Sequence, residues 1–335
     1  TTSSLSAVNN QSKINFRKQT VKMGTSRVLL PVVDLSSPDK ISTAQLIRQA
    51  CLEHGFFYVK NHGISEDLME GVFRESKGFF NLPIEEKMAL LRRDLLGYTP
   101  LYAEKLDPSL NSIGDSKESL YFGSLEGVLA QRYPNQWPCQ NLLPSWRQTM
   151  ECYYKSVLSV GRELLGLIAL ALDLEEDFFE QVGALNDPAA VVRLLHYPGE
   201  VISSDVETYG ASAHSDYGMV TLLLTDGVPG LQVCRDKWKQ PRIWEHVTGI
   251  RGAFIVNIGD MMERWTNGVF RSTLHRVMPV GKERYSVVFF LDPNPECNVR
   301  CLESCCSETC PPRFPPILAG DYIKERFRLT YATTS

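Results

Sequence analysis

The stretch ASAHSDYGMVTLLL, residues 211–224, puts His214, Ser215 and Asp216 at the mouth of an almost wholly apolar run. Three polar side chains at the entrance of a buried strand call for a reason: a turn, a core histidine with its own partner, or a metal site. On a strand, residues i and i+2 face the same way, which predicts that His214 and Asp216 project together while Ser215 points oppositely. A 2-His-1-carboxylate face needs one more imidazole from elsewhere in the fold and leaves the far side of the metal open.

Six histidines are available: His54, His62, His196, His214, His246 and His275. His54 and His62 read as a helix end and a turn, His196 lies beside Tyr197 on a separate strand, and His246 sits in the polar RIWEHVTG. His275, within RSTLHRVMPV, is embedded in a late strand of the β-rich half and is the best third ligand. Nine positions on, Arg284 opens RYSVVFFL, and Ser286 shares its face by strand alternation. A guanidinium fork beside a hydroxyl suits a carboxylate, and Val288 and Phe290 would give that pair a dry wall. A dicarboxylate cosubstrate fits such a pocket.

Working outward, the runs VVRLLHYPG, GMVTLLLTDG, GLQVC, GAFIVNIGD, STLHRVMPVG and RYSVVFFLDP are short, β-rich and punctuated by Gly and Pro after about residue 190. Strands at that spacing predict an antiparallel sandwich or small barrel of jelly-roll type. Ahead of them, Trp146, Met150, Tyr153, Val157, Val160, Leu164, Leu167, Ile168 and Ala171 recur every three or four residues, so a long supporting helix is expected from Ser145 to Leu174. The N-terminal third reads as mixed α/β: a strand in LLPVVDL, a helix opened by Ser42 and closed by Gly55, a strand in FFYVKNHGI, and a second helix stopped by Pro83. The Pro-, Gly-, Asn- and Asp-rich segment 95–144 reads as a linker wrapped on the core, with one strand in DSKESLYFG. Residues 1–27 are thus a flexible leader, 28–144 an N-terminal region, and 145–335 a helix plus β-rich catalytic region with a C-terminal extension.

Composition narrows the function. Hydrophobic residues are 43% and charged residues 22% of the 335, the profile of a globular chain, and 35 Lys+Arg against 39 Asp+Glu leave no basic block for nucleic acid or an anionic membrane. The most apolar window, LLGLIALALDL at 164–174, is shorter than the roughly 18 residues a bilayer span needs. The expected partner is a small molecule, and the chain is expected to act as a monomer in the cytoplasm. The first 33 residues carry basic residues and no Asp or Glu, which fits either a disordered leader ahead of a start at Met23 or an organellar transit segment. Nine cysteines include Cys297, Cys301, Cys305, Cys306 and Cys310, whose uneven spacing suits reduced thiols better than a zinc site. No G-x-S-x-G elbow or glycine-rich phosphate loop is present.

Taken as HSD … STLHRV … RYS, the residues His214, Asp216, His275, Arg284 and Ser286 resemble the iron- and 2-oxoglutarate-dependent dioxygenases, in particular the plant-type branch related to isopenicillin N synthase. LPVVDLSS, ACLEHGFFYVKNHGI, FFNLPIEEK, NQWP, HYPG, NIGDMMERWTNG and RFPPILAGDY are similar to that family's landmarks over residues 28–330. The resemblance implies a double-stranded β-helix (jelly roll) core of mainly β, α+β class. It further implies Fe(II) on His214, Asp216 and His275, with 2-oxoglutarate on Arg284, Ser286 and Tyr197. Oxygen is the co-reactant, ascorbate a helper, and succinate and CO2 the by-products of hydroxylating, or otherwise oxidising, a small molecule of specialised metabolism. Many members carry asparagine where this chain has Leu195, which keeps open a same-fold iron oxidase that dispenses with 2-oxoglutarate; a non-catalytic binding module is the other alternative. Asp260, after Gly259, is assigned to a turn rather than to the metal. Tyr98, Tyr102, Tyr121 and Phe290 are the candidate substrate contacts, the alternative for the tyrosines being the core.

Overall fold

Val32–Asp34 (β1) leads into α1, Lys40–Glu53, which begins two residues before the expected Ser42 because Asp39 is the cap: its carboxylate accepts from the Ser42 amide at 3.0 Å and the Ser42 hydroxyl at 2.6 Å. The computed structural model describes residues 27–107, 114–199 and 208–331, so the leader other than Arg27 lies outside the described residues. Gly55, at φ +66°, turns the chain into β2, Phe56–Lys60. Ser65 caps α2, Glu66–Phe80, and Pro83 precedes the short α3, Ile84–Met88. The segment 95–144 is more than a linker: it contributes β3, Gly97–Thr99, and β4, Glu118–Phe122, before α4 at Gly127–Arg132. The long helix α5 spans Trp146–Ala171, and α6 is a single turn at Phe178–Gln181.

The β-rich half follows as β5 (Ala189–Tyr197), β6 (Ala211–His214), β7 (Val220–Thr225), β8 (Leu231–Cys234), β9 (Trp244–His246) and β10 (Phe254–Ile258). After α7 (Asp260–Trp265) come β11 (His275–Val277) and β12 (Arg284–Asp292), then β13 (Asn298–Val299), β14 (Ile317–Leu318) and α8 (Ala319–Tyr331). Eight strands form one mixed sheet in the order β1-β2-β10-β7-β12-β5-β4-β3, and four form a second, β6-β11-β8-β9. Thus β1 to β4, from the N-terminal region, share a sheet with β5, β7, β10 and β12.

Alternation along β12 divides the core. Val287, Phe289 and Leu291 join the large cluster under the helices with Leu164, Ile168 and Ile47, whereas Val288 and Phe290 pack with Leu231, Val233 and Val277 of the smaller sheet. The inner faces therefore meet between the sheets, and Arg284 and Ser286 stand on that inner side. Phe289 is fully buried beneath α5, so truncating it to alanine would cost about 3–5 kcal/mol. All nine cysteines are free, Cys297 being buried and Cys310 exposed.

Candidate active site

His214 is the last residue of β6 and faces His275, the first of β11, directly across the ladder, with ring centroids 4.3 Å apart. Asp216 does not lie on the strand as the alternation argument has it. It follows the end of β6 in the turn toward β7, and its Oδ1 nevertheless reaches 3.7 Å from His214 Nε2 and 3.6 Å from His275 Nε2. That turn is pinned by close backbone approach: the Asp260 amide donates to the Asp216 carbonyl at 2.8 Å and the Gly259 amide to the Met219 carbonyl at 3.1 Å. A side chain at Gly259 would collide with the Gly218 backbone, so that position requires glycine, and one at Gly218 would have to displace the Asp292 carboxylate.

The donor atoms of the three side chains lie within 4.8 Å of one another. Each imidazole nitrogen Nδ1 is within 2.7 Å (His214, to Ser212 O) or 3.1 Å (His275, to Thr273 O) of a carbonyl, which makes Nδ1 the donor and turns the Nε2 lone pair inward. The outer Asp216 oxygen, Oδ2, accepts from Thr221 Oγ1 and Asn257 Nδ2, both at 2.7 Å, leaving Oδ1 toward the histidines. Burial, then the neighbouring His275, pushes the His214 imidazole down to about 4. Burial works to raise the Asp216 carboxyl, but His275, His214 and the bonds from Asn257 and Thr221 outweigh it and hold it below the ordinary carboxylate range. A neutral imidazole and an ionised carboxylate are the forms a metal takes. Two imidazoles and one carboxylate oxygen suit iron(II) with positions to spare.

The same cavity carries Arg284, Ser286, Tyr197 and Leu195 on its opposite wall. Arg284 is buried, donates to the Val228 carbonyl and to Ser286 Oγ at 3.2 Å each, and lies 4.9 Å over the Tyr197 ring, its register partner on β5. No carboxylate among the described residues pairs with it, so a buried cation faces the cavity ready for an anionic ligand. Leu195, opposite Ser286 in the ladder, offers that ligand no hydrogen bond.

An adjoining cavity of about 120 Å³ opens beside His214 and Asp216. Tyr121 and Phe290 line it, with Leu106 and Val191, while Ile323 and Phe327 of α8 close one side. Tyr98 and Tyr102 are not brought there. Tyr98 is buried against Phe79 with its hydroxyl on Glu118, and Tyr102 takes a left-handed φ of +62° elsewhere on the chain. Of the other histidines, His196 bridges Glu118 and Glu283, His62 meets the Gly252 carbonyl, His246 meets Gln232, and His54 ends α1. Asp260 starts α7 and accepts from Ser272 and Tyr322, apart from the metal donors.

Several residues at this site went unread in the sequence. Asn257, within the quoted NIGD run, and Thr221 hold Asp216. Buried Lys117 pairs with Asp115 at 2.6 Å and Glu104 at 2.9 Å, and Arg193 pairs with Glu104 at 2.6 Å. Burial acts to lower the Lys117 value, yet Asp115 and Glu104 outweigh it and keep the amine charged. Asp292 also lines the adjoining cavity, and burial, then Asp216, pushes its carboxyl up to about 7.

Donors of this kind, set across one cavity from a buried cation awaiting an anion, define a non-haem iron oxygenase with an acidic cosubstrate, and comparison with known proteins bears on that class directly. Residues 30–140 match the family described as non-haem dioxygenase in morphine synthesis N-terminal, and residues 188–293 match the 2OG-Fe(II) oxygenase superfamily. The chain is 43% identical over 315 residues to Kihadalactone A synthase LFS of Citrus sinensis, covering 91% of this chain and 93% of that one. It is 42% identical to Azadirone synthase LFS of Melia azedarach over 91% and 94%. Among solved structures, a full-length Neurospora crassa protein in complex with alpha-KG and thymine superimposes with a TM-score of 0.80 at 28% identity, covering 92% and 98%. The chain belongs to the 2OG-Fe(II) oxygenase superfamily. It is a 2-oxoglutarate-dependent dioxygenase that oxidises a small molecule, with Fe(II), 2-oxoglutarate and O2 as its cofactors. These relatives favour neither the oxidase that dispenses with 2-oxoglutarate nor the non-catalytic module.

Proposed function

We propose that His214, Asp216 and His275 hold the iron and that Arg284, Ser286 and Tyr197 bind 2-oxoglutarate. The observation that carries this is the convergence of the three donors within 4.8 Å in a cavity whose far wall is Arg284, which no carboxylate among the described residues pairs. When bound, iron and 2-oxoglutarate together supply the oxidation of a C–H bond by O2, with release of succinate and CO2. The Arg284 fork and Ser286 Oγ would hold a carboxylate of 2-oxoglutarate, and the Tyr197 ring backs the guanidinium. Val288, Leu231 and Leu223 keep water from that ion pair. Thr221 and Asn257 fix Asp216 so that only Oδ1 is offered inward.

The prime substrate in this reading is a largely apolar organic molecule, since Leu95, Leu106, Tyr121, Val191, Phe290 and Phe327 wall the cavity beside the metal donors. Tyr121 and Phe290 are its proposed contacts. The two LFS relatives are named for making kihadalactone A and azadirone, which supports a role for this chain in specialised metabolism. The two facing sheets form a double-stranded β-helix in this reading, supported by the way the chain passes between them from β5 to β12, with only the neighbours β8 and β9 staying in one sheet. The same reading keeps 28–144 and 145–335 as the two regions of the chain, although one sheet runs through both. It places the chain in the cytoplasm as a monomer, the latter supported by a candidate site complete within one chain. Among the described residues no helix is long and apolar enough to cross a membrane.

The test is a mass-spectrometric screen of apolar candidate substrates with Fe(II), 2-oxoglutarate and O2. One succinate per oxidised product is expected. Oxidation of a substrate that proceeds equally well without 2-oxoglutarate would overturn the assignment of Arg284.

A further inference from the structure

Both candidate iron-binding histidines are held in the same indirect way. The His214 ring donates to the carbonyl of Ser212, two residues earlier, at 2.7 Å, and the His275 ring to that of Thr273, also two residues earlier, at 3.1 Å. Each of these residues carries a hydroxyl, and each hydroxyl reaches the N-terminal region. Ser212 donates its amide at 3.0 Å and its Oγ to the Asp115 carboxylate, which Lys117 pins from the other side at 2.6 Å. Thr273 Oγ1 donates at 2.8 Å to the His54 carbonyl, which ends α1. Phe56, next along the chain after Gly55, sets its ring edge-on to His275 at 5.5 Å. Ser212 and Asp115 are both buried.

A carbonyl fixes the rotation and tautomer of an imidazole only as firmly as its own peptide is fixed. Ser212 lies on a strand of only four residues and Thr273 precedes β11 and lies on no strand, so ladder bonds alone do not fix these peptides. We infer that the N-terminal region is a positioning element for the metal site, orienting His214 through Asp115 and Ser212, and His275 through the His54 carbonyl and Thr273. This rests on the reading of His214, Asp216 and His275 as the metal ligands.

The experiment titrates the full chain with Co(II) alone, following affinity and the visible spectrum of the bound ion. Ser212→Ala, Thr273→Val and their double variant delete the hydroxyl anchors and leave every donor atom in place. Loss of such outer partners lowers metal affinity by about 10–100-fold, so the double variant should weaken Co(II) binding by at least about tenfold and shift the spectrum, while Ser212→Thr and Thr273→Ser restore the parent values. A merely structural role would lower the melting temperature of the metal-free protein and leave affinity and spectrum where they were. Binding within about twofold of the parent, with an unchanged spectrum, in the folded double variant would overturn the inference. Should the double variant not fold, each single variant is read by the same outcome. Asp216→Ala is the control: if it binds Co(II) like the parent, the ligand assignment itself has failed, and that failure is told apart from loss of the positioning effect.

Discussion

Arg284, Ser286 and Tyr197 stand on β12 and β5, two nine-residue strands paired to each other along their whole length, whereas His214 and His275 sit at the ends of strands of four and three residues and Asp216 on no strand at all. The first wall takes its geometry from its own ladder. The second takes it from outside: Thr221 and Asn257 for the carboxylate, Ser212 and Thr273 for the imidazoles. A cavity of this design can hold a cosubstrate rigidly on one side while the metal side depends on partners distant in sequence.

The largest effect should come from removing a donor. Asp216→Ala is expected to lose both iron and turnover while circular dichroism stays unchanged, because the buried side chain lies in a turn at the cavity and belongs to neither apolar cluster; one bound iron with full activity would remove Asp216 from the ligand set. Next comes the support of that donor. Asn257→Ala removes one of the two hydrogen bonds on Asp216 Oδ2, leaving that from Thr221, and should weaken iron binding by about tenfold or more in a direct titration, against little change if the metal wall is as self-sufficient as the ladder wall. On that ladder wall, Arg284→Lys keeps the charge but not the fork, and the KM for 2-oxoglutarate should rise by roughly tenfold or more. An unchanged KM together with failing substrate binding would assign Arg284 to the prime substrate instead. Smallest of all, Tyr98→Phe should leave every KM within about twofold and lower stability by about 1–2 kcal/mol, since its hydroxyl serves buried Glu118 rather than the cavity.

The contrast also explains what the sequence disclosed. Strand alternation put Arg284 and Ser286 on one face, and the structure shows them there, because β12 is long, regular and buried on both sides. The same alternation brought Asp216 to His214 by a wrong route: the strand has already ended, and a glycine-dependent turn does the work. Segment 95–144 yielded the strand in DSKESLYFG, found as β4, but hid β3, because three residues, Gly97–Thr99, are too few to show alternation amid the surrounding Pro, Gly and Asp. Lys117, Arg193, Asp115 and Glu104 were unread since charged side chains default to the surface, and the Arg193 partner lies 89 positions away. Of four proposed aromatic contacts, Tyr121 and Phe290 reach the cavity while Tyr98 and Tyr102 do not; nothing in their local sequence separates one pair from the other.

The cation on the ladder wall has an effect beyond catalysis. A guanidinium buried with no counter-ion among the described residues is costly to the fold, and a dicarboxylate bound there, as proposed for 2-oxoglutarate, would favour the folded over the unfolded chain. Occupancy at a hundred times the dissociation constant would add about 2.7 kcal/mol to the unfolding free energy. On that proposal cellular 2-oxoglutarate would protect the enzyme as well as fuel it, and a chain starved of it would be the more readily unfolded and degraded.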